Sequence, residues 1–232
     1  MTQQWITITP DQPFAGYLSL PPTGTGPGLV LLQEIWGVNE HIRAVADSYA
    51  QAGFVVFAPD VFWRLTPRLD LNYDDAGTQK AFECYQTLDA DQAVSDVVTA
   101  IDFLKTRPEV NGKIGIIGYC LGGQLAYRSA AASADISAAV CYYGGGIANY
   151  VDVAPQLKQA IMFHHGAHDE HIPADDVAKI KATFAHHTHA QFFDYPAGHG
   201  FNCWGRSGMY HQPSAALAQG RSLAFLAEQL CI

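Results

Sequence analysis

The residues best placed to do chemistry begin with a cysteine set among glycines, Gly118-Tyr119-Cys120-Leu121-Gly122-Gly123. An apolar stretch, Lys113–Gly118, runs into it, and a small-residue stretch with helical character, Leu121–Ala132, runs out. This is the spacing of a nucleophile elbow, G-x-S-x-G, with cysteine in the serine position. The strand-to-helix turn is so sharp that side chains two residues either side of the nucleophile would collide, so both positions are glycine. The turn lifts the sulfur above the sheet and leaves the N–H of Leu121 as an oxyanion donor. It also puts the thiol at a helix N-terminus, where the dipole favours thiolate. The plainer alternative is a small apolar filler in a strand–helix turn. A dinucleotide loop is also glycine-rich, but Gly115, Gly118, Gly122 and Gly123 do not spell G-x-G-x-x-G. Of the 5 cysteines only Cys120 has this setting; Cys84, Cys141, Cys203 and Cys231 read as structural.

A thiol needs a base, and the base needs a partner to orient it. Two strand ends offer them. Ala160–Phe163 runs into His164-His165-Gly166-Ala167-His168-Asp169, and Ala190–Tyr195 runs into Pro196-Ala197-Gly198-His199. The chain order is then Cys120, Asp169, His199: nucleophile, acid, base. A further strand end carries Gln33-Glu34-Ile35-Trp36-Gly37, which puts the N–H of Ile35 where a second oxyanion donor belongs. Glu34 is unusual there, since a carboxylate repels an oxyanion. Either it modulates the cysteine, or it forms a salt bridge to an arginine such as Arg64 or Arg68.

The elements that must position these groups alternate. Gln4–Thr9 and Ala15–Leu20 read as an antiparallel pair of strands. Gly28–Leu32 is a continuous apolar run, the mark of a strand buried on both faces. Asn39 caps a helix through Gln51 and Gly53 ends it; Gly53–Ala58 is the next strand. Helices follow over Asp89–Thr106, Leu121–Ala132, Ala174–His186 and Ser214–Gln229, with strands at Lys113–Gly118, Ile136–Tyr143, Ala160–Phe163 and Ala190–Tyr195. This is an α/β class protein with a mostly parallel central sheet and helices on both faces. All the candidate groups fall just past C-terminal strand ends, where open α/β sheets place their sites. Pro59–Leu88 fits the alternation least. It reads either as a lid or pocket wall, or as a surface excursion with one or two helices.

The 232 residues suit a single domain spanning 1–232, with 49% apolar residues and 15% charged. The net charge of −9 argues against a nucleic-acid or anionic-membrane surface. The N-terminal stretch Met1–Pro10 lacks a signal-peptide pattern, and the odd cysteine count without paired spacing reads as free thiols, so a cytoplasmic location is expected.

Taken together, Glu34-Ile35-Trp36-Gly37, Ala58-Pro59-Asp60, Gly118-Tyr119-Cys120-Leu121-Gly122-Gly123, Tyr142-Tyr143-Gly144, Gly166-Ala167-His168-Asp169 and Ala197-Gly198-His199 resemble the dienelactone hydrolases, or carboxymethylenebutenolidases, over roughly Gly28 to Leu226. The resemblance implies an α/β-hydrolase fold and a hydrolase of the enol-lactone bond that uses no cofactor. It implies Cys120 as nucleophile, His199 as base, Asp169 as its orienter, and Ile35 and Leu121 as oxyanion donors. Glu34 would hold the resting thiol and accept its proton when substrate displaces it. The sequence departs from the family at the substrate end: the two arginines that hold a substrate carboxylate align with Thr78 and Cys203, and the position after the histidine is Gly200 where serine is usual. Lys80 or Arg206 is the nearby substitute. The pocket is assigned to Trp36, Phe82, Tyr85, Tyr143, Lys80 and Arg206. The expected partner is a small lactone or ester, with no nucleic acid or membrane, in a monomer or small homo-oligomer.

Three rival readings stand beside this one. The first is a broader carboxylesterase or lactonase on the same scaffold. The second is a histidine-rich metal protein using His164, His165, His168 and His171, which the strand alternation of His164 and His165 and the absence of C-x-x-C oppose; the expected metal is none. The third is a redox sensor using Cys120, which has no use for Asp169 and His199 in that order.

Overall fold

A computed structural model describes residues 3–231, so Met1, Thr2 and Ile232 of the expected 1–232 domain, and the first two residues of the Met1–Pro10 stretch, lie outside the described residues. The strands are β1 (Gln3–Thr7), β2 (Ala15–Ser19), β3 (Gly26–Leu32), β4 (Val55–Pro59), β5 (Val110–Tyr119), β6 (Ile136–Tyr142), β7 (Ala160–Gly166) and β8 (Ala190–Tyr195). They form one sheet in the order β1-β2-β4-β3-β5-β6-β7-β8. β1 pairs with β2 and β2 with β4 antiparallel; every other pairing is parallel. The helices are α1 (Glu40–Gln51), α2 (Asp75–Thr87), α3 (Ala90–Lys105), α4 (Leu121–Ala132), α5 (Ala174–Thr183) and α6 (Gln212–Leu230).

Strand alternation divides the core in two. Leu29 and Leu31 of β3, Val56 and Ala58 of β4, and Val140 and Tyr142 of β6 pack against Ile42, Val45 and Tyr49 of α1 and Phe225 and Leu226 of α6. Val30, Leu32, Val55 and Phe57 face the other way, onto Val97, Ile101 and Leu104 of α3 and Leu125 and Ala126 of α4. Both faces are covered, which is why the central strands read as unbroken apolar runs. Asn39 caps α1 by accepting from the N–H of Ile42 at 3.1 Å, as its position implied.

The departures from the sequence reading are local. α5 stops at Thr183, three residues short of the expected end, and a 3-10 helix over Ile147–Gln156 was not anticipated. Segment 59–88 is neither wholly lid nor wholly surface. Val61, Phe62, Trp63 and Leu69 are buried. Asp60 pins the start of the segment, accepting from the N–H groups of Phe62 at 2.9 Å and Arg68 at 2.5 Å. Asp96 of α3 holds the Trp63 indole at 2.9 Å and the Arg64 guanidinium at 2.8 and 2.9 Å. Leu71 N–H donates to the carbonyl of Trp36 at 3.1 Å, which ties the segment to the loop after β3. α2 then carries Phe82 and Tyr85 to the rim of a cavity.

Candidate active site

The elbow is a sharp, strained turn. Cys120 sits at φ 55°, ψ −116°, a conformation that costs a non-glycine residue about 1–3 kcal/mol. Its N–H donates to the carbonyl of Tyr142 at 3.1 Å, and Gly122 N–H donates to the carbonyl of Gln33 at 3.0 Å. The glycines are there for space. A Cβ on Gly118 would lie 1.9 Å from the carbonyl oxygen of Gly122, and one on Gly122 would lie 2.4 Å from the carbonyl oxygen of Leu32. The close approach of α4 to the end of β3 brings Leu121 and Ile35 to the same cavity as Cys120. Leu121 is the first residue of α4, so its N–H has no acceptor within the helix.

β7 and β8 converge in the same way. A Cβ on Gly166 would lie 2.5 Å from the carbonyl oxygen of Ala197, and the N–H of His168 donates to that carbonyl at 3.0 Å. The two loops thus place Asp169 beside His199. Asp169 Oδ1 accepts from the N–H groups of His171 at 2.8 Å and Ile172 at 3.2 Å, which fixes the carboxylate. Its Oδ2 meets His199 Nδ1 at 2.8 Å, and His199 Nε2 meets Cys120 Sγ at 3.1 Å. Burial opposes a charge on His199, but its hydrogen bonds to Asp169 and Cys120 outweigh that and push it up to about 10. The ring is backed from below by Tyr143 and edged at the mouth by His171, with ring centroids 5.1 and 4.9 Å away.

Cys120 and His199 line a cavity of about 290 Å³ that also meets Glu34, Trp36, Phe82, Tyr85, Arg206 and Met209. Glu34 is wholly buried, and burial pushes its carboxyl up. The hydrogen bond from Tyr73 and the charges of His199 and Arg206 pull the other way. Tyr73 Oη donates to Glu34 Oε2 at 3.1 Å. Arg206 lies over the face of Trp36, 4.5 Å from the ring centroid, which holds its guanidinium at the cavity wall.

A family-wide sequence profile described as the dienelactone hydrolase family matches residues 14–230. The chain belongs to the dienelactone hydrolase family. The carboxymethylenebutenolidase of Pseudomonas putida is 34% identical over 216 residues, covering 92% of this chain and 91% of the relative. Carboxymethylenebutenolidase 1 of Cupriavidus pinatubonensis is 32% identical over 224 residues, covering 96% of this chain and 94% of its own. A crystal structure from Klebsiella pneumoniae that bears the dienelactone hydrolase name superposes with a TM-score of 0.86 at 28% identity, covering 97% of this chain and 98% of that one. The α/β-hydrolase fold and an activity on ester or lactone bonds follow for this family member. No helix among the described residues is long and apolar enough to cross a membrane.

Within this dienelactone hydrolase scaffold, most of the residues singled out from sequence meet at one cavity: Cys120, His199, Glu34, Ile35, Leu121, Trp36, Phe82, Tyr85 and Arg206. Two do not. Lys80 sits on the solvent face of α2 and pairs with Glu83 at 3.2 Å, because helical spacing turns Gly77, Ala81 and Cys84 inward instead. Tyr143 is fully buried behind His199 and supports the ring without lining the cavity. The expected hold of Glu34 on the resting thiol is also absent here: the sulfur is paired with His199, and Glu34 with Tyr73. Neither arginine offered as a salt-bridge partner reaches Glu34, since Arg64 is bound to Asp96 and Arg68 lies over Trp5. His164, from the rival metal cluster, is bonded to Tyr195 at 2.8 Å and Ser222 at 3.0 Å inside the core. Sequence reasoning missed Tyr73, Met209, Gly145 and Gly146. The run Gly144-Gly145-Gly146, with Gly146 at φ 80°, was the available signal for the last two.

Proposed function

We propose that this hydrolase cleaves small lactones and esters through a Cys120–His199–Asp169 triad, with substrates bearing a carboxylate held by Arg206. The carrying observation is the unbroken chain Cys120 Sγ to His199 Nε2 to Asp169 Oδ2, at 3.1 and 2.8 Å, on the wall of the cavity. A volume of about 290 Å³ is at the small end of ligand pockets, which favours a compact substrate.

The chemistry follows from the charges. The protonated His199 stabilises the Cys120 thiolate, which attacks the carbonyl carbon and pushes its electron pair onto the carbonyl oxygen. The N–H groups of Ile35 and Leu121 are the donors for that oxyanion. Collapse forms the thioester and breaks the C–O bond, and His199 gives its proton to the leaving oxygen. In a lactone that oxygen stays tethered to the acyl chain. The now neutral His199 takes a proton from water, whose hydroxide attacks the thioester and regenerates the thiolate–imidazolium pair. Asp169 holds the ring in the tautomer both steps need.

We place the enzyme in the cytoplasm, acting on a small molecule, with no nucleic-acid or membrane partner, as a monomer or small homo-oligomer. A broader esterase is the second reading, favoured by the exposed aromatic rim of Phe82 and Tyr85 beside a single cavity arginine. A panel of lactones and esters, each with and without a carboxylate, separates the two. The carboxylate-bearing enol lactone is expected to have the highest kcat/KM. Uniform preference for neutral esters would sink the carboxylate assignment and leave the triad in place.

A further inference from the structure

Behind the cavity wall lies a second group of chemically potent side chains. Glu34 at the end of β3, His41 in the first turn of α1 and Cys203 in the turn after β8 each offer a donor atom within 4.8 Å of the other two, and all three residues are buried. We infer that these three residues form a binding site for a thiophilic divalent cation, of which Zn²⁺ is the type.

The donor set carries the first part of the argument. Carboxylate oxygen, imidazole nitrogen and thiolate sulfur are the three ligand kinds zinc takes, and three protein ligands leave a fourth position for water. In tetrahedral geometry such donors stand about 3.3–3.8 Å apart, so these need converge by roughly 1 Å. The second part is an orphan. His41 is 7% exposed, yet its Nδ1 has no hydrogen-bond partner among the described residues. Buried ring nitrogens are ordinarily satisfied, and a ligand is one way to satisfy this one. The rings of Trp204 and Tyr73 flank it, with centroids 4.3 and 6.1 Å away, and neither supplies an acceptor to it.

The surroundings agree. The Cys203 thiol hydrogen-bonds Glu34 and Tyr73, so the sulfur and the carboxylate already face each other beside His41. A bound cation offsets the desolvation of all three, and Cys203 releases its thiol proton to solvent as the metal binds. Tyr73 already fixes one oxygen of Glu34. Access exists from both sides. Glu34 faces the catalytic cavity, and His41 faces a separate cavity of about 410 Å³ lined also by Asn39, Tyr73, Trp204 and Gly205. Arg206 is the nearby cation that opposes binding. Its guanidinium is committed to the face of Trp36, and the two anionic donors neutralise a divalent ion. Occupancy would claim Glu34 and so connect metal availability to the wall of the catalytic cavity.

The inference does not depend on Cys120 being the nucleophile, and its test keeps the two apart. Co²⁺ is titrated into chelator-treated protein, and thiolate-to-cobalt absorption in the near ultraviolet is read. The expected result is one equivalent bound, with the band kept in Cys120→Ala, lost in Cys203→Ser, and reached only at tenfold or more higher cobalt in His41→Gln. Cys203→Ala replaces the serine variant if that one does not fold. A band that disappears with Cys120→Ala and survives Cys203→Ser would assign the metal to the catalytic thiol and overturn the site. Absence of any band at saturating cobalt would overturn it as well.

Discussion

Two polar clusters meet at the cavity, and they are built differently. On the β5, β7 and β8 side, Cys120, His199 and Asp169 form a closed chain in which each ring nitrogen and both Asp169 oxygens have partners. On the β3 side, Glu34 has Tyr73, but Trp36 Nε1 and His41 Nδ1 are buried without partners among the described residues. The first cluster is a preorganised hydrogen-bonded chain, whose contacts are complete before substrate arrives. The second is a set of buried groups, reached only through cavity walls, that the protein satisfies only in part. Preorganised groups suit the reacting bond, where reorganisation would slow the step. Incompletely satisfied groups suit binding, because a ligand supplies what is missing.

The sharpest way to break this division is to delete its first half. Cys120→Ala and His199→Ala are each expected to cut kcat for ester hydrolysis by roughly 10³-fold or more while the fold survives, since members of such a unit fail together. Turnover within tenfold of wild type in either variant, measured on a chromogenic ester, would remove the triad from the account.

The cation at the cavity wall comes next in size. Arg206→Ala should lower kcat/KM for carboxylate substrates by about 10- to 150-fold, the worth of a charge-assisted hydrogen bond, and spare neutral esters. Lys80→Ala should leave both unchanged, because its partner is Glu83 at the surface. Steady-state kinetics on a matched acid and methyl ester decides between them.

The separation of the clusters can be sharpened at Glu34. With the sulfur on His199 and Glu34 on Tyr73, Glu34→Gln should change substrate-free alkylation of Cys120 by iodoacetamide by no more than about twofold. A large acceleration would mean that Glu34 guards the thiol after all, and that the two clusters are one.

The smallest effect concerns the core beneath them. His165, which lies beside the stacked pair Phe163 and Phe192 with its ring parallel to both, is lowered by burial to about 4. Between its ordinary 6.5 and that value the unfolded chain takes up a proton that the folded chain refuses. The neutral ring's contribution is therefore intact above pH 6.5 and lost as pH falls toward 4. His165→Gln should flatten the decline of Tm over that window by a few degrees; parallel curves for the two proteins would contradict the assignment.

How much of this was legible in the sequence follows from the same contrast. The triad was readable because backbone geometry dictates its neighbours. Gly118, Gly122 and Gly166 sit where a Cβ would strike a carbonyl, so the constraint is written into residue type. The strands that carry the triad were readable from unbroken apolar runs. The Glu34 cluster was not readable beyond Glu34 itself. It draws His41 from α1, Tyr73 from the segment before α2 and Cys203 from the turn after β8, and no local pattern ties those positions together. Lys80 and Tyr143 were misplaced for a related reason. Proximity in sequence to the right region says nothing about which face of α2, or which side of the His199 ring, a residue takes.

The most direct measurement is to trap the intermediate. Protein mixed with p-nitrophenyl acetate, quenched in acid and digested, is examined by peptide mass spectrometry for an acetyl group. The account predicts a thioester on the peptide containing Cys120, accumulating when deacylation is slow and absent in Cys120→Ala. Turnover with the acetyl group on Cys203 or a serine, with Cys120 unmodified throughout, would contradict it.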